Sequence, residues 1–184
     1  TQLAVLVGGG KPSDASLDSR AVEILREIAD LARPNGVGIA LYPHAGDWLE
    51  RVEDGVRLAK KVDRPDVGVM FNLCHWLKVA EEKDLKPLLT LAGPHLAAVS
   101  INGADRAVDV RSGKGSMILP LGQGAFDMRA FLDALEEAGY KGPVGLQCYG
   151  LPGDAKEHLA RSMEAWRGLL EKGGGNEAPG ASPR

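Results

Sequence analysis

The stretch Val67-Gly68-Val69-Met70-Phe71-Asn72-Leu73-Cys74-His75 joins a short apolar run to a group of polar side chains. The apolar part has the length and composition of a buried β-strand. Residues at helical spacing precede it, and another apolar segment with helical periodicity, residues 85–91, follows it. Strands that alternate with helices are typical of a parallel sheet with right-handed crossovers. The stretch therefore predicts an α/β fold with polar groups where a parallel strand ends.

The same unit recurs along the chain. Apolar runs predict five strands, each followed by a helical segment, at residues 3–7, 37–41, 67–71, 96–101 and 144–146. An eight-fold (β/α) barrel usually needs about 250 residues, whereas this chain has 184. We therefore predict a parallel (β/α) barrel that is partial, with about five β–α units. An open, doubly wound sheet is the alternative that the alternation allows.

Helix starts and buried faces follow from local sequence. The aspartates with the sequence context of N-caps are Asp18, Asp47, Asp127 and Asp154. The last helix places four apolar side chains on one face, which we expect to lie in the core: Leu159, Met163, Trp166 and Leu170.

Composition limits the function classes. A net charge of −3 gives no long-range attraction for nucleic acid or an anionic membrane, and no apolar stretch has the length of a membrane span. We predict one domain over residues 1–172 and a disordered Gly/Pro-rich tail or linker over residues 173–184. The chain starts at Thr1 rather than Met, which leaves both a cytoplasmic location and export after signal removal open.

Four of the predicted strands end in polar clusters. These clusters are Tyr42-Pro43-His44, Asn72-Leu73-Cys74-His75, Ser100-Ile101-Asn102 and Gln147-Cys148-Tyr149. The carboxyl ends of parallel strands meet on one face, where α/β proteins place their sites. The four clusters therefore predict one site. Its polar groups are mainly amides and hydroxyls, with no carboxylate among them.

Motif order adds a family resemblance. The segments His44, Asn72 to His75, Pro120-Leu121-Gly122-Gln123-Gly124 and Gly139-Tyr140-Lys141-Gly142 occur in the order and spacing of a known pattern. Over nearly all of residues 36–170 the chain resembles the C-terminal part of the xylose isomerase-like TIM barrel family. That family includes sugar phosphate isomerases and epimerases. The resemblance implies a barrel fold and a carbohydrate substrate.

The resemblance also implies where a metal would bind. The family holds a divalent metal with Glu, Asp, His and Glu at four strand ends, and the matching positions here are Tyr42, Asn72, Ser100 and Gln147. A hard cation needs anionic oxygen to offset its dehydration, which none of these side chains supplies. We therefore predict no resident metal. A divalent metal such as zinc would need a rearranged site built from His44, His75 and a cysteine.

Two hypotheses of function follow. In the first, the protein is a sugar isomerase or epimerase homologue in which His75 and His44 transfer protons or polarise a carbonyl group. The side chains expected to contact the sugar or polyol are Tyr42, Asn72, Ser100, Asn102, Gln147 and Tyr149. In the second, it is a catalytically silent carbohydrate-binding or scaffolding domain, linked to another module or forming a homodimer. The loss of carboxylates favours the second hypothesis, and the two histidines favour the first.

Overall fold

The computed structural model describes residues 1–173, which form one five-stranded parallel sheet with helices on its outer side. The strands are β1 Gln2–Val5, β2 Gly38–Leu41, β3 Val67–Asn72, β4 Leu96–Ile101 and β5 Val144–Leu146. The helices are α1 Asp18–Ala32, α2 Val52–Val62, α3 Leu73–Val79, α4 Leu85–Ala92, α5 Ala107–Arg111, α6 Met128–Glu137 and α7 Ala155–Gly173. The remainder of the predicted tail lies outside the described residues.

The strand order decides between the two architectures. The strands pair in the order in which they occur along the chain, β1-β2-β3-β4-β5. A doubly wound sheet reverses its strand order at a switch point, and this sheet contains no such reversal. The five units therefore form a half-barrel, and the doubly wound alternative is wrong.

The two faces of the sheet differ in side-chain size. On β3 the side chains of Val67, Val69 and Phe71 belong to the core under the helices, where Phe71 stacks against Phe131 of α6 at 5.1 Å between ring centroids. The alternate positions face the concave side of the half-barrel, where β2 and β5 carry only glycine or alanine. The small concave side chains leave room for a cavity above them.

The predicted capping role of Asp18 is wrong. Asp18 is the first residue of α1 and only 2% exposed. Its carboxylate accepts hydrogen bonds from Arg57 Nε at 2.9 Å and from Lys61 Nζ at 2.7 Å. Burial acts to raise the pKa of this carboxyl group, and the bonds from Arg57 and Lys61 outweigh it, so the pKa is lowered. The Asp18 side chain therefore forms an ion pair between α1 and α2 instead of the helix cap that the local sequence predicted.

The start of α2 also differs from the prediction. Asp47 does not cap this helix, which begins at Val52. The carboxylate of Asp54, in the first turn of the helix, accepts a hydrogen bond from the backbone N–H of Arg51 at 3.0 Å and so caps the helix start. The predicted caps of α6 and α7 are confirmed, since Asp127 accepts from Ala130 N and Asp154 from Glu157 N.

The apolar face of α7 is less buried than predicted. Leu159, Met163 and Leu170 are about half exposed, at 55%, 49% and 52%, and only Trp166 packs against the core. A groove of about 410 Å³ runs between this helix and β5. The prediction of a buried face is wrong for these three side chains, because in the described sheet β5 has no further strand beside it to cover them.

The segment between β4 and α6 is held by its own secondary structure and hydrogen bonds. It contains the short helix α5 and returns to the strand end, where Gly103 and Leu119 form an antiparallel bridge. The side-chain amide of Asn102 donates to Met117 O at 2.8 Å and to Gly103 O at 2.7 Å. The segment is therefore fastened to the end of β4. Within residues 1–173, no helix is both long and apolar enough to cross a bilayer.

Candidate ligand-binding site

A cavity of about 400 Å³ lies on the concave face where the strands end. It is lined by all four positions at which the resemblance placed ligands: Tyr42, Asn72, Ser100 and Gln147. Tyr42 and Gln147 directly follow β2 and β5. Asn72 ends β3 and pairs with Ser100, the penultimate residue of β4, so the parallel sheet brings the four side chains to one face. None of the described residues that line the cavity carries a charge.

Asn72 organises one wall of this cavity. It is the last residue of β3 and the N-cap of α3, and it is 3% exposed. Its side-chain oxygen accepts a hydrogen bond from the Cys74 thiol at 3.0 Å and a longer one from the His75 backbone N–H at 3.4 Å. Its side-chain nitrogen donates to the Tyr42 hydroxyl at 2.9 Å. A direct strand-to-helix junction therefore fixes both ends of the amide.

Burial keeps the Tyr42 phenol and the Cys74 thiol protonated. It raises the pKa of the Tyr42 phenol, and the proximity of Cys74 raises it further against the smaller effect of the bond from Asn72. Burial also raises the pKa of the Cys74 thiol, more than a hydrogen bond with Gln147 lowers it. Both groups are therefore neutral near pH 7 and act through hydrogen bonds rather than charge.

The two histidines lie in contact beside Tyr42. The rings of His44 and His75 are 3.9 Å apart between centroids, and the ring of His75 meets that of Tyr42 edge-on at 5.7 Å. His44 Nδ1 is 3.4 Å from a carboxylate oxygen of Asp47. Nδ1 of His75 is buried and, among the described residues, has no hydrogen-bond partner. Burial first, and then His44 and Lys78, lower the pKa of His75 to about 4, so its imidazole is unprotonated at neutral pH.

This depressed pKa predicts an acid-linked loss of stability. The unfolded chain binds a proton at His75 near pH 6.5, whereas the folded protein does so only near pH 4. The contribution of His75 to the free energy of unfolding is therefore fully present above pH 6.5 and is lost as the pH falls toward 4. Urea unfolding across this interval should show a steeper decline for the parent protein than for His75→Gln. Parallel declines would contradict the assignment.

Four of the predicted residues do not line the cavity: His44 and His75 lie beside Tyr42, and the other two lie elsewhere. Asn102 is fully buried, and its amide nitrogen binds the backbone of the following segment. Tyr149 is 80% exposed. Their contact with a ligand stays a prediction. Sequence reasoning missed Met70, which lines the cavity. The signal was its position two residues before Asn72, because side chains two apart on a strand share a face.

The donor set does not fit the metal that the family resemblance implies. A phenol, two carboxamides and a hydroxyl offer no anionic oxygen to a hard cation at neutral pH. Across residues 1–173, no group of three or more histidine, cysteine, aspartate or glutamate side chains is arranged to hold a metal ion. The rearranged site of His44, His75 and a cysteine stays a prediction, and the thiol of Cys74 is already engaged with Asn72.

The comparisons with known proteins identify the family. The model of the xylose isomerase-like TIM barrel family matches residues 1–169, and the chain therefore belongs to this family. An inosose isomerase from Bacillus velezensis is 27% identical over 131 residues, which are 70% of this chain and 46% of that protein. A 3-dehydroshikimate dehydratase from Pseudomonas aeruginosa is 26% identical over 148 residues, which are 79% of this chain and 23% of that protein. The chain spans about half the length of these relatives, or less.

Solved structures agree on the architecture. The IolI protein with a bound zinc atom superposes with a TM-score of 0.72 at 23% identity, covering 93% of this chain and 63% of that one. A xylose isomerase-like TIM barrel protein from Mycobacterium smegmatis in complex with magnesium gives 0.65 at 25% identity, covering 90% and 53%. The predicted partial barrel of xylose isomerase-like type is confirmed.

Proposed function

We propose that this protein binds a neutral sugar or polyol in the cavity at the strand ends, without a metal ion. The observation that carries the proposal is the lining: four neutral hydrogen-bonding side chains from neighbouring strands converge on one cavity. Relatives named inosose isomerase and L-ribulose 3-epimerase support a polyhydroxylated ligand. The volume of about 400 Å³ falls within the range of small-molecule pockets.

The lining suits both faces of a sugar. The carboxamide of Gln147 carries a donor and an acceptor, so it can bind a hydroxyl group in either orientation. Met70 and Leu146 offer apolar surface to the C–H face of the same molecule. A phosphate or carboxylate would meet no cationic side chain among the described lining residues, and its desolvation would be uncompensated. The proposal therefore excludes phosphorylated sugars.

Ligand titration tests the proposal. L-ribulose should bind in the presence of a chelator, whereas ribulose 5-phosphate should not, as measured by calorimetry or ligand-observed NMR. Gln147→Leu should weaken L-ribulose binding by about fivefold, since a lost hydrogen bond costs roughly 1 kcal/mol and 1.4 kcal/mol is a factor of ten. Gln2→Leu is the matched control, because Gln2 lines a separate cavity at the opposite end of the strands. Tighter binding of the phosphorylated sugar, or equal losses in the two variants, would contradict the proposal.

One observation favours catalysis in addition to binding. The unprotonated imidazole of His75 does not line the cavity but meets the ring of Tyr42, which does, at 5.7 Å between centroids. It is a candidate base for taking a proton from the carbon beside a ketone. Such a metal-independent isomerase or epimerase would return a deuteron to that carbon in heavy water. Exchange in the presence of chelator, lost in His75→Gln, would support an enzyme. Binding without exchange would support the silent carbohydrate-binding or scaffolding domain.

A further inference from the structure

We propose that the Tyr42 hydroxyl is the oriented hydrogen-bond donor of this cavity, that it binds the ketone oxygen of the ligand, and that Cys74 and Asn72 set its direction. The proposal rests on the carbohydrate-binding function above and narrows the ligand to ketoses and cyclic polyhydroxy ketones. It follows from the direction of two consecutive hydrogen bonds, from Cys74 to Asn72 and from Asn72 to Tyr42.

The orientation of the Asn72 side-chain amide is fixed by its neighbours. A backbone N–H can only donate, so the atom of Asn72 that faces the N–H of His75 must be the oxygen. The Cys74 thiol, which lies 3.0 Å from the same atom, then donates to it as well. With the oxygen turned toward α3, the amide nitrogen faces the opposite way. The amide is therefore not free to exchange its oxygen and nitrogen.

The Asn72 amide in turn sets the direction of the Tyr42 hydroxyl. The Asn72 nitrogen lies 2.9 Å from Tyr42 Oη and can only donate, so the phenol oxygen accepts this bond. The phenol hydrogen must then point elsewhere. No acceptor for it occurs among the hydrogen bonds of residues 1–173, and Tyr42 lines the cavity. The hydrogen is therefore available to a ligand in the cavity.

The Tyr42 hydrogen selects among ligand groups that can accept it. Because burial raises its pKa, the Tyr42 phenol keeps its hydrogen near neutral pH. A ketone oxygen accepts this hydrogen without bringing a donor of its own, whereas a ligand hydroxyl must turn its hydrogen toward another acceptor. A site built to hydrogen-bond one group discriminates against an analogue that leaves a buried partner poorly satisfied. The donor thus favours a ketose over the corresponding alditol.

The test compares L-ribulose with ribitol, its reduced counterpart, by calorimetry in the presence of a chelator. The parent protein should bind L-ribulose about tenfold more tightly than ribitol, the factor that 1.4 kcal/mol represents. Tyr42→Phe should weaken L-ribulose binding by about the same factor, leave ribitol nearly unchanged, and so remove the preference. The ratio of the two affinities separates this role from a general loss of structure, which would weaken both.

Three further variants test the direction of the hydrogen bonds from Cys74 through Asn72 to Tyr42. Asn72→Asp presents a carboxylate that accepts from Tyr42, which turns the phenol hydrogen away from the cavity and should also abolish the preference. Cys74→Ser keeps a donor toward Asn72 and should retain the preference, whereas Cys74→Ala should reduce it.

The outcomes separate the two proposals. An unchanged preference in both Tyr42→Phe and Asn72→Asp would overturn the role of Tyr42 while leaving carbohydrate binding intact. Equal preferences in Cys74→Ser and Cys74→Ala would overturn the role of Cys74. If the parent protein binds neither L-ribulose nor ribitol, the proposed function fails and the donor role fails with it.

Discussion

Tyr42→Glu, Asn72→Asp, Ser100→His and Gln147→Glu, introduced together, are expected to turn a protein that holds little metal into one that binds about one divalent ion per chain. The four positions already line one cavity, and the change supplies the anionic oxygen that a hard cation requires. Without metal, the introduced carboxylates repel one another and lower stability. Saturating Mn²⁺ should then raise stability by about 2.7 kcal/mol at a hundredfold excess over the Kd.

Elemental mass spectrometry after dialysis, together with thermal unfolding with and without Mn²⁺, measures both effects. The control is Tyr42→Gln with Ser100→His, which retains the amides of Asn72 and Gln147 and should gain no metal. A folded fourfold variant without metal would show that the four side chains do not converge. Stoichiometric metal in the parent protein, lost in His75→Ala, would instead establish the rearranged histidine site and contradict the metal-independent proposal.

The second large effect is a loss of stability expected from Gly124→Ala, in a turn between α5 and α6. Gly124 has a φ of 88°, and an added Cβ would overlap the carbonyl oxygen of Ala104 and come within 3.0 Å of the Ala104 nitrogen. Backbone atoms cannot move aside as a flexible side chain can. We expect a loss of more than about 3 kcal/mol in the free energy of unfolding, at the high end for a single substitution.

Gly113→Ala is the matched control, since Gly113 has a similar φ of 74° but no atom within 4 Å of an added Cβ. In this variant the only expected cost is that of placing a residue with a Cβ in the left-handed conformation, which is about 1–2 kcal/mol. Urea unfolding of both variants measures the difference. Equal losses would contradict the close approach of the two backbone segments, because the backbone conformation would then account for the whole effect.

The sheet was largely predictable from sequence, because a buried parallel strand leaves a local signature. The prediction for β4, residues 96–101, agrees with the observed Leu96–Ile101, and that for β5 agrees with Val144–Leu146. Strand-end polar residues also predicted that side chains from different strands would meet, since parallel pairing places such ends on one face. Four of the predicted contacts share one cavity. Asn102 does not line it, because its amide serves the backbone that returns to β4.

The remaining features depend on long-range contacts that no local pattern encodes. Asp18 has the context of a cap, yet the approach of Arg57 from another helix decides its role. The direction of the hydrogen bonds from Cys74 through Asn72 to Tyr42 depends on a helix that begins where a strand ends. Periodicity predicted the apolar face of α7, but burial of that face needs a neighbour that periodicity cannot supply.

The charged contacts of this protein and its cavity lie in different places. Exposed ion pairs such as Arg20–Glu23 of α1 and Lys86–Glu137 between α4 and α6 lie in the outer layer, while the described lining of the cavity is neutral. Dissolved salt screens charge–charge attraction and leaves hydrogen bonding between neutral groups almost untouched. Ionic strength is therefore a means of adjusting the outer layer alone. Affinity for an uncharged ligand should stay constant across salt concentrations at which the resistance of the fold to denaturant changes.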